Sequence, residues 1–320
     1  MPLKYLQIET TSVCNQRCFF CPVSKEKRAK SQLSIERINK IITELRHYPI
    51  ETISISGFNE PTLDKQLIEK ITAFRQAKLA VHLYTNGSGL TPALTDELLK
   101  ADVSNFTINL STLDETQYQK TRGTKNIKNI VPHLHYLLAQ IQKQHQKVKA
   151  TVLVLGKRDE QHGTNVQMIT KKFAEFTVPQ IIILPLAEFA GKSTHVLPKR
   201  PYHKTLRGCA ENRPNQWLHF TATGEAIFCC HDYFAQYKMG HIDESTIAQI
   251  YQGEKVAQWR RWITGKEEAP KDFLCRQCVF ALTDENYAQT VQRLFCQSCL
   301  LPKILGNENT CRRCGVNSYL

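Results

Sequence analysis

The stretch Cys14-Asn15-Gln16-Arg17-Cys18-Phe19-Phe20-Cys21 contains three closely spaced cysteines and is the most informative motif of the sequence. Its cysteines have the spacing C-x3-C-x2-C, and each thiolate can hold one iron of a [4Fe-4S] cluster, which normally has four cysteine ligands. One iron would then keep an open coordination position, the feature that separates a catalytic metal site from a closed structural one. The alternatives are a zinc knuckle, a redox dithiol or three unrelated buried thiols, but zinc generally takes ligands in pairs and a redox motif needs only C-x-x-C.

Phe20, directly before the last of these cysteines, completes the pattern C-x3-C-x-Φ-C. With this pattern the chain resembles the radical SAM superfamily. The resemblance implies that the open iron chelates the amino and carboxylate groups of S-adenosylmethionine and that Phe20 belongs to the binding site of this cofactor. It also implies that one electron cleaves this cofactor to a 5'-deoxyadenosyl radical.

The cysteines and the charge narrow the class of protein. Three of the twelve cysteines lie at 14–21 and nine lie beyond residue 208, which favours metal sites over disulfides in a chain without a signal peptide or an apolar membrane span. We therefore expect a cytoplasmic protein that does not enter a membrane. The net charge of +13 suits an anionic substrate, nucleic acid or an acidic electron donor such as flavodoxin or ferredoxin, although a solvated basic surface explains it equally well.

Short apolar strands alternate with amphipathic helices over the first 185 residues. The predicted strands are residues 5–9, 52–56, 81–84, 106–110, 150–155 and 180–184. Five helices are predicted. One begins after the N-cap Ser34, one contains Leu67 to Phe74, and three cover residues 92–100, 126–144 and 166–176. This alternation predicts an α/β fold with parallel strands, either doubly wound or a barrel, and the family resemblance selects a partial (β/α)6 TIM-type barrel. We expect the barrel at 1–200, a small β-hairpin and helix domain at 201–285, and a Cys-rich tail at 286–320.

Ligands bind at the carboxyl ends of such strands, and polar motifs follow the second and the fourth of them. Gly57, Asn59 and Glu60 follow the second strand and resemble the family's Gly-Gly-Glu motif, which implies contact with the methionyl amino group of S-adenosylmethionine. An ordinary turn that ends at Pro61 would explain the same residues. Further along, Asn109 and Ser111 resemble the ribose-binding position, and Arg122 lies where related proteins place a basic group near the methionyl carboxylate.

A second set of cysteines begins at Cys209, which precedes Gly224 and Cys229 with the spacing C-x14-G-x4-C. Cys275 and Cys278 can complete four ligands for a closed auxiliary [4Fe-4S] cluster, with a zinc site as the alternative. Gly224 is typical of the turn of a hairpin. The arrangement resembles the SPASM/twitch subgroup of the superfamily, and the absence of the later SPASM cysteines favours a twitch domain with one auxiliary cluster.

The tail carries two more C-x2-C pairs, Cys296 with Cys299 and Cys311 with Cys314. Two such pairs close together are typical of a zinc ribbon, although the spacer between them is short. Zinc is the expected metal, and a third cluster or free thiols are the alternatives.

These features together predict a radical SAM oxidoreductase that abstracts a hydrogen atom from a small polar or anionic metabolite. The auxiliary cluster would accept the remaining electron, as in a dehydrogenase. Glu188, Lys192 and Asp232 are the candidates for the general base. Redox-neutral epimerisation, with Cys230 as a hydrogen donor, and peptide modification are the alternatives, although a motif that begins at residue 14 leaves little space for a preceding leader-binding domain. A non-enzymatic metal protein that binds RNA is less favoured, because it does not explain the incomplete cysteine triplet.

Overall fold

In a computed structural model of the 320-residue chain, the residues described are 3–26, 28–144, 147–157, 159–186 and 202–287. The strands are β1 Tyr5–Ile8, β2 Thr52–Ile55, β3 Val81–Thr85, β4 Asn105–Asn109, β5 Lys149–Gly156, β6 Gln180–Pro185, β7 Gly208–Cys209, β8 Trp217–Phe220, β9 Glu225–Ile227, β10 Lys238–His241 and β11 Ala281–Leu282. The helices are α1 Ile35–Leu45, α2 Leu67–Gln76, α3 Pro92–Lys100, α4 Glu115–Arg122, α5 Ile127–Gln144, α6 Glu160–Lys172, α7 Arg213–Gln216, α8 Ile247–Gln252 and α9 Glu254–Ile263.

The main sheet has the strand order β10-β9-β8-β1-β2-β3-β4-β5-β6, and β1 to β6 are parallel to their neighbours in this run. A doubly wound sheet would reverse its order at a switch point, whereas this order advances one strand at a time. Right-handed crossovers that all advance in one direction place the helices on the same face of the sheet. The predicted α/β class with a partial (β/α)6 TIM-type barrel is therefore confirmed.

The two faces of the barrel strands differ in polarity. Successive side chains of a strand point to opposite faces, and in β1 the residues Leu6 and Ile8 belong to the buried hydrophobic core that the helices cover. Gln7 occupies the other face of β1, beside Ser54 of β2 in the parallel register. The face away from the helices is therefore the one that can offer polar groups to a ligand.

The helices follow local signals, not all of which were recognised from the sequence. Helix α1 begins where Ser34 accepts a hydrogen bond from the backbone N–H of Arg37, as predicted. Helix α4 was missed, although Asp114 caps its start and Gly123 ends it with a left-handed φ of 69°. Helix α6 was predicted at 166–176 but begins at Glu160, because the cap of Asp159 starts it in a run of weak helix formers that includes Gly163.

The predicted hairpin around Gly224 is present as β8 and β9, which pair antiparallel. Strand β8 also pairs parallel to β1, so the hairpin extends the barrel sheet. A second, smaller hydrophobic cluster gathers Phe228, Trp259 and Phe273 beside the paired strands β7 and β11. The domain limits at residues 200 and 285 remain predictions.

Within the described part of the chain, no helix combines the length and the apolar character needed to cross a membrane.

Candidate active site

The loop that follows β1 brings Cys14, Cys18 and Cys21 to one cavity of about 290 Å³ at the carboxyl ends of the barrel strands. Two backbone hydrogen bonds hold this loop against the end of α4, from Arg17 N to the carbonyl oxygen of Arg122 and from Phe19 N to that of Thr121, each 2.9 Å long. The missed helix α4 is thus the support of the cysteine loop.

The three thiols fit an iron cluster by their chemistry. Burial raises the pKa of the Cys14 thiol to about 11 and that of the Cys21 thiol to about 12, so without a metal both would stay protonated at neutral pH. A bound metal removes the proton from a coordinating thiol, so these buried cysteines would become thiolates when a cluster binds. Both are free cysteines that line this cavity, as is Cys18.

Arg122 lies beside Cys18 and is only 1% exposed. Its Nη1 donates to Sγ of Cys18 at 3.4 Å, and its Nη2 donates to Oδ1 of Asn109 at 2.8 Å and to Oγ of Ser111 at 2.5 Å. The guanidinium also lies 4.9 Å from the centre of the Phe20 ring. The structure therefore brings together four of the residues predicted to bind the cofactor, and Arg122 joins the cysteine loop to the end of β4.

Glu60 lines the same cavity, but protein donors hold its carboxylate. Oε1 accepts from the N–H and hydroxyl of Thr62 and from the hydroxyl of Thr85, and Oε2 accepts from the N–H of Asn86 at 2.7 Å. Burial raises the pKa of Glu60, while these donors act in the opposite direction and favour the charged form. Glu60 thus fixes the loops after β2 and β3 in addition to facing the cavity.

Asn59 provides a test of whether a polar ligand fits. Both its amide nitrogen and its amide oxygen are buried without a hydrogen-bond partner, and the residue lines the cavity. Buried amides are normally paired, so this pair of groups fits a ligand that carries both donors and acceptors. S-adenosylmethionine, with its amino and carboxylate groups, has this chemistry.

Glu9 is a site residue that the sequence analysis missed. Its Oε1 accepts from the N–H of Phe58 at 3.1 Å and from Arg28 at 2.9 Å. Gly57 has φ 151°, and a Cβ there would lie 2.4 Å from Cγ of Glu9, so only glycine lets the loop approach this carboxylate. A carboxylate directly after β1, in the chain just before the cysteine loop, was the available signal.

Polar, uncharged side chains form part of the barrel wall of this cavity, namely Gln7, Ser56, Tyr84 and Thr107, and the apolar Leu153 and Leu155 of β5 form another part. On β8, His219 is the register partner of Gln7, and both of its ring nitrogens are buried without a partner. This wall can make hydrogen bonds to a substrate but offers it no ion pair.

The auxiliary cysteines also converge. Cys209, Cys229, Cys275 and Cys278 line one small enclosed space together with Arg213. Arg213 stacks over Phe280 at 4.5 Å, and the negative charge that the neighbouring cysteines can carry raises the pKa of its guanidinium despite burial. A thiolate set with a buried cation beside it fits an anionic iron-sulfur cluster. Among the described residues, no group of three or more Cys, His, Asp or Glu is arranged around a single metal ion.

Cys230 and His231 connect the two sites. Both line the first cavity, although the residue before them, Cys229, belongs to the auxiliary set. His231 donates its backbone N–H to Sγ of Cys229 at 3.5 Å, and its Nδ1 lies 3.9 Å from Sγ of Cys278. The auxiliary cysteines are therefore next to the cavity that holds the catalytic ones.

The remaining predicted site residues are not part of this arrangement. Asp232 is buried, does not line the first cavity, and accepts from the backbone N–H groups of Gln236 and Tyr237, so it shapes the loop after the auxiliary cysteine. The other two candidate bases and the four tail cysteines lie outside the described residues, namely Glu188, Lys192, Cys296, Cys299, Cys311 and Cys314.

Two family models match the chain. The model of the radical SAM superfamily matches residues 8–164, and the SPASM model, an iron-sulfur cluster-binding domain, matches residues 209–279. Together they include the seven cysteines of both described sites.

The chain is also similar, at low sequence identity, to several probable GTP 3',8-cyclases. A probable GTP 3',8-cyclase of Pyrococcus abyssi is 28% identical over 41% of this chain and 42% of its own length. Another from Thermococcus kodakarensis is 25% identical over 68% of this chain and 70% of its own length. The chain thus spans less than half of the first of these relatives.

Solved structures share the fold at low identity. BtrN in complex with AdoMet and 2-DOIA has a TM-score of 0.57 and 17% identity over 87% of this chain and 94% of that one. The AdoMet-bound anSMEcpe has a TM-score of 0.62 and 14% identity over 92% of each chain. Streptococcus suis SuiB bound to S-adenosylmethionine has a TM-score of 0.64 and 14% identity over 87% of this chain and 71% of that one.

Proposed function

Because this chain belongs to the radical SAM superfamily and carries an iron-sulfur cluster-binding SPASM domain, we propose that it oxidises a small polar metabolite by removing two hydrogens. The family binds S-adenosylmethionine and a catalytic [4Fe-4S] cluster, and the SPASM domain adds an auxiliary cluster. When bound, the catalytic cluster and S-adenosylmethionine supply a 5'-deoxyadenosyl radical that abstracts a hydrogen atom from the substrate.

Different residues of the first cavity bind the catalytic cluster and S-adenosylmethionine. Cys14, Cys18 and Cys21 hold the catalytic cluster and leave one iron open for the methionyl group of S-adenosylmethionine. Arg122 supplies positive charge for the methionyl carboxylate, and the unpartnered amide of Asn59 supplies hydrogen bonds. Glu60 keeps the two loops around that group in place through its four protein donors.

The polar side chains of the barrel wall support a small substrate that is rich in hydrogen-bonding groups. Gln7, Tyr84 and Thr107 offer amide and hydroxyl groups to the cavity. In the described lining of this cavity, the charged groups Glu60 and Arg122 are already held by protein partners. A sugar or an aminocyclitol fits this wall better than a strongly anionic metabolite does.

One observation carries the oxidation itself: the sequence neighbours Cys229 and Cys230 belong to different sites, the first to the auxiliary set and the second to the substrate cavity. An auxiliary cluster held by Cys229 and its three partner cysteines would supply an electron acceptor next to this cavity, and the substrate radical would lose one electron to it and one proton to a base. The net basic chain suits an acidic one-electron donor such as flavodoxin or ferredoxin, and its free thiols suit the reducing cytoplasm.

The test is anaerobic turnover with S-adenosylmethionine, a reductant and a panel of sugars, aminocyclitols, nucleotides and peptides, followed by mass spectrometry. We expect substrate-dependent 5'-deoxyadenosine and a product lighter by two hydrogens from a sugar or aminocyclitol. The matched variant is Cys275→Ala, in which the ratio of oxidised product to 5'-deoxyadenosine should fall. An unchanged ratio in that variant, or oxidation of peptides alone, would contradict the proposal.

A second candidate function is redox-neutral epimerisation, which the position of Cys230 favours. Its thiol lines the cavity and could return a hydrogen atom to the substrate. The resulting thiyl would then need one electron and one proton, which the reduced auxiliary cluster and solvent can supply. Turnover in D2O distinguishes the two functions, because only epimerisation places one solvent deuterium on a carbon of a product that keeps its hydrogen count.

A further inference from the structure

His231 contacts two auxiliary cysteines, Cys229 through its backbone N–H and Cys278 through its ring, and it also lines the catalytic cavity. Its backbone N–H lies 3.5 Å from Sγ of Cys229, and its ring Nδ1 lies 3.9 Å from Sγ of Cys278. The ring packs edge-on against Phe280 with the ring centres 5.4 Å apart. The guanidinium of Arg213 stacks on the face of Phe280. The imidazole thus packs against a ring that is itself in contact with a buried cation.

These contacts have a direct consequence for a cluster held by the four cysteines. Reduction adds one negative charge, much of which resides on sulfur, so N–H groups that point at the ligand sulfurs stabilise the reduced form. Partners of this kind outside the ligand set tune a metal centre and orient its ligands. Two such contacts from one residue act on two of the four thiolates.

We infer that His231 is a positioning residue that sets the reduction potential of the auxiliary cluster, through hydrogen bonds to Cys229 and Cys278, at a value high enough to accept an electron from the adjacent cavity. The Nδ1–H tautomer donates to Cys278, which leaves Nε2 as an acceptor for other groups. The inference requires the auxiliary cluster but does not require that the substrate be oxidised.

The experiment is an EPR-monitored redox titration of the reconstituted full-length chain in which Cys14, Cys18 and Cys21 are alanine, so that the catalytic cluster is absent. His231→Gln places its amide near the position of Nε2 and removes the donor to Cys278, and we expect the midpoint potential of the auxiliary cluster to shift downward. His231→Asn places its amide near the position of Nδ1, and its potential should return toward that of the unsubstituted histidine.

His203 provides a matched control. Its Nε2 lies 3.0 Å from the backbone carbonyl oxygen of the same cysteine, Cys278, and not from the sulfur. His203→Gln should therefore leave the potential unchanged even though it disturbs the surroundings of this ligand. If His231→Gln does not retain iron, His231→Leu serves as the second removal of the donor.

A downward shift in the donor-removing variant, with recovery in His231→Asn and none in His203→Gln, supports the inference. Equal potentials in all loaded variants, or equal shifts in the His231 and His203 variants, would overturn it. Because no substrate is present, a failure of the proposed oxidation would leave this result intact, and a failure here would leave the oxidation to be judged by its own product assay.

Discussion

Nη1 of Arg122 lies 3.4 Å from Sγ of Cys18, 104 residues earlier in the chain. The same guanidinium reaches Asn109 and Ser111 at the end of β4, so a single buried cation connects the cysteine loop with this strand end. Arginine is suited to this position because its planar fork makes several hydrogen bonds in a fixed geometry.

Arg122→Lys keeps the charge but loses the fork, and we expect the affinity for S-adenosylmethionine to fall by about tenfold or more. Hydrogen bonds to charged groups contribute roughly 1.5–3 kcal/mol, and lysine cannot reach all three acceptors together. Equilibrium dialysis of the reconstituted protein measures this. Lys128→Met is the control, since that exposed lysine forms an ion pair with Glu115 on the surface. Equal affinities of the wild type and Arg122→Lys would refute this role.

Glu60→Gln should destabilise the fold by about 1–3 kcal/mol, because an amide nitrogen cannot accept the hydrogen bonds that a carboxylate oxygen receives and leaves a buried donor unpaired. The donors at stake come from Thr62, Thr85 and Asn86. Anaerobic urea unfolding of the two proteins tests this. Glu115→Gln, on the exposed start of α4, should change the free energy of unfolding little, and a similarly small change in Glu60→Gln would exclude the proposed support of the loops.

The stability of the protein should fall as the pH falls from about 6.5 to about 4, in part because of His82. Burial lowers the pKa of this imidazole from 6.5 to about 4, so the unfolded chain binds a proton in this range and the folded chain does not. The loss is absent above pH 6.5, is complete below about pH 4, and amounts to about 3 kcal/mol at most, because the pKa is 6.5 in the unfolded chain and about 4 in the folded protein.

His82→Gln removes this titration while it can keep the hydrogen bond that Nε2 shares with the Thr107 hydroxyl at 2.8 Å. Urea unfolding at pH 7.5 and pH 5 should therefore show a smaller difference for the variant than for the wild type. Identical differences would mean that His82 is protonated in the folded state or makes no contribution.

Cys230→Ala separates the two candidate functions. If the enzyme oxidises its substrate, the variant should still form an oxidised product, because the electron leaves through the auxiliary cluster and no thiol hydrogen is needed. Product analysis by mass spectrometry measures this, with Cys230→Ser as the variant closest in shape. Loss of product with continued formation of 5'-deoxyadenosine would instead favour epimerisation.

Local patterns in the sequence were sufficient to predict the barrel strands. The strand predicted at 52–56 is β2 at Thr52–Ile55, and the one predicted at 180–184 is β6 at Gln180–Pro185. In contrast, the parallel pairing of β8 with β1 joins residues more than 200 positions apart, and no local pattern encodes it. Such pairings depend on which surfaces meet after the chain has folded.

The same distinction applies to the site. The cysteine triplet could be recognised from its spacing, because its three cysteines lie within eight residues. Arg122 and Glu60 were found through the family resemblance, and the structure adds the contacts that they make. Glu9 and His231 were missed because their partners, Phe58 and Cys278, are 49 and 47 residues away in the chain.

The content of iron, sulfide and zinc after anaerobic reconstitution, in the wild type and in two variants, distinguishes an enzyme with two clusters from one with a single cluster. One variant replaces Cys14, Cys18 and Cys21 with alanine, and the other replaces Cys209, Cys229, Cys275 and Cys278. Each should lose about four irons relative to the wild type, and only the first should lose all cleavage of S-adenosylmethionine. A wild type with about four irons, all lost in the first variant, would contradict the auxiliary cluster and with it the electron acceptor on which the proposed oxidation depends.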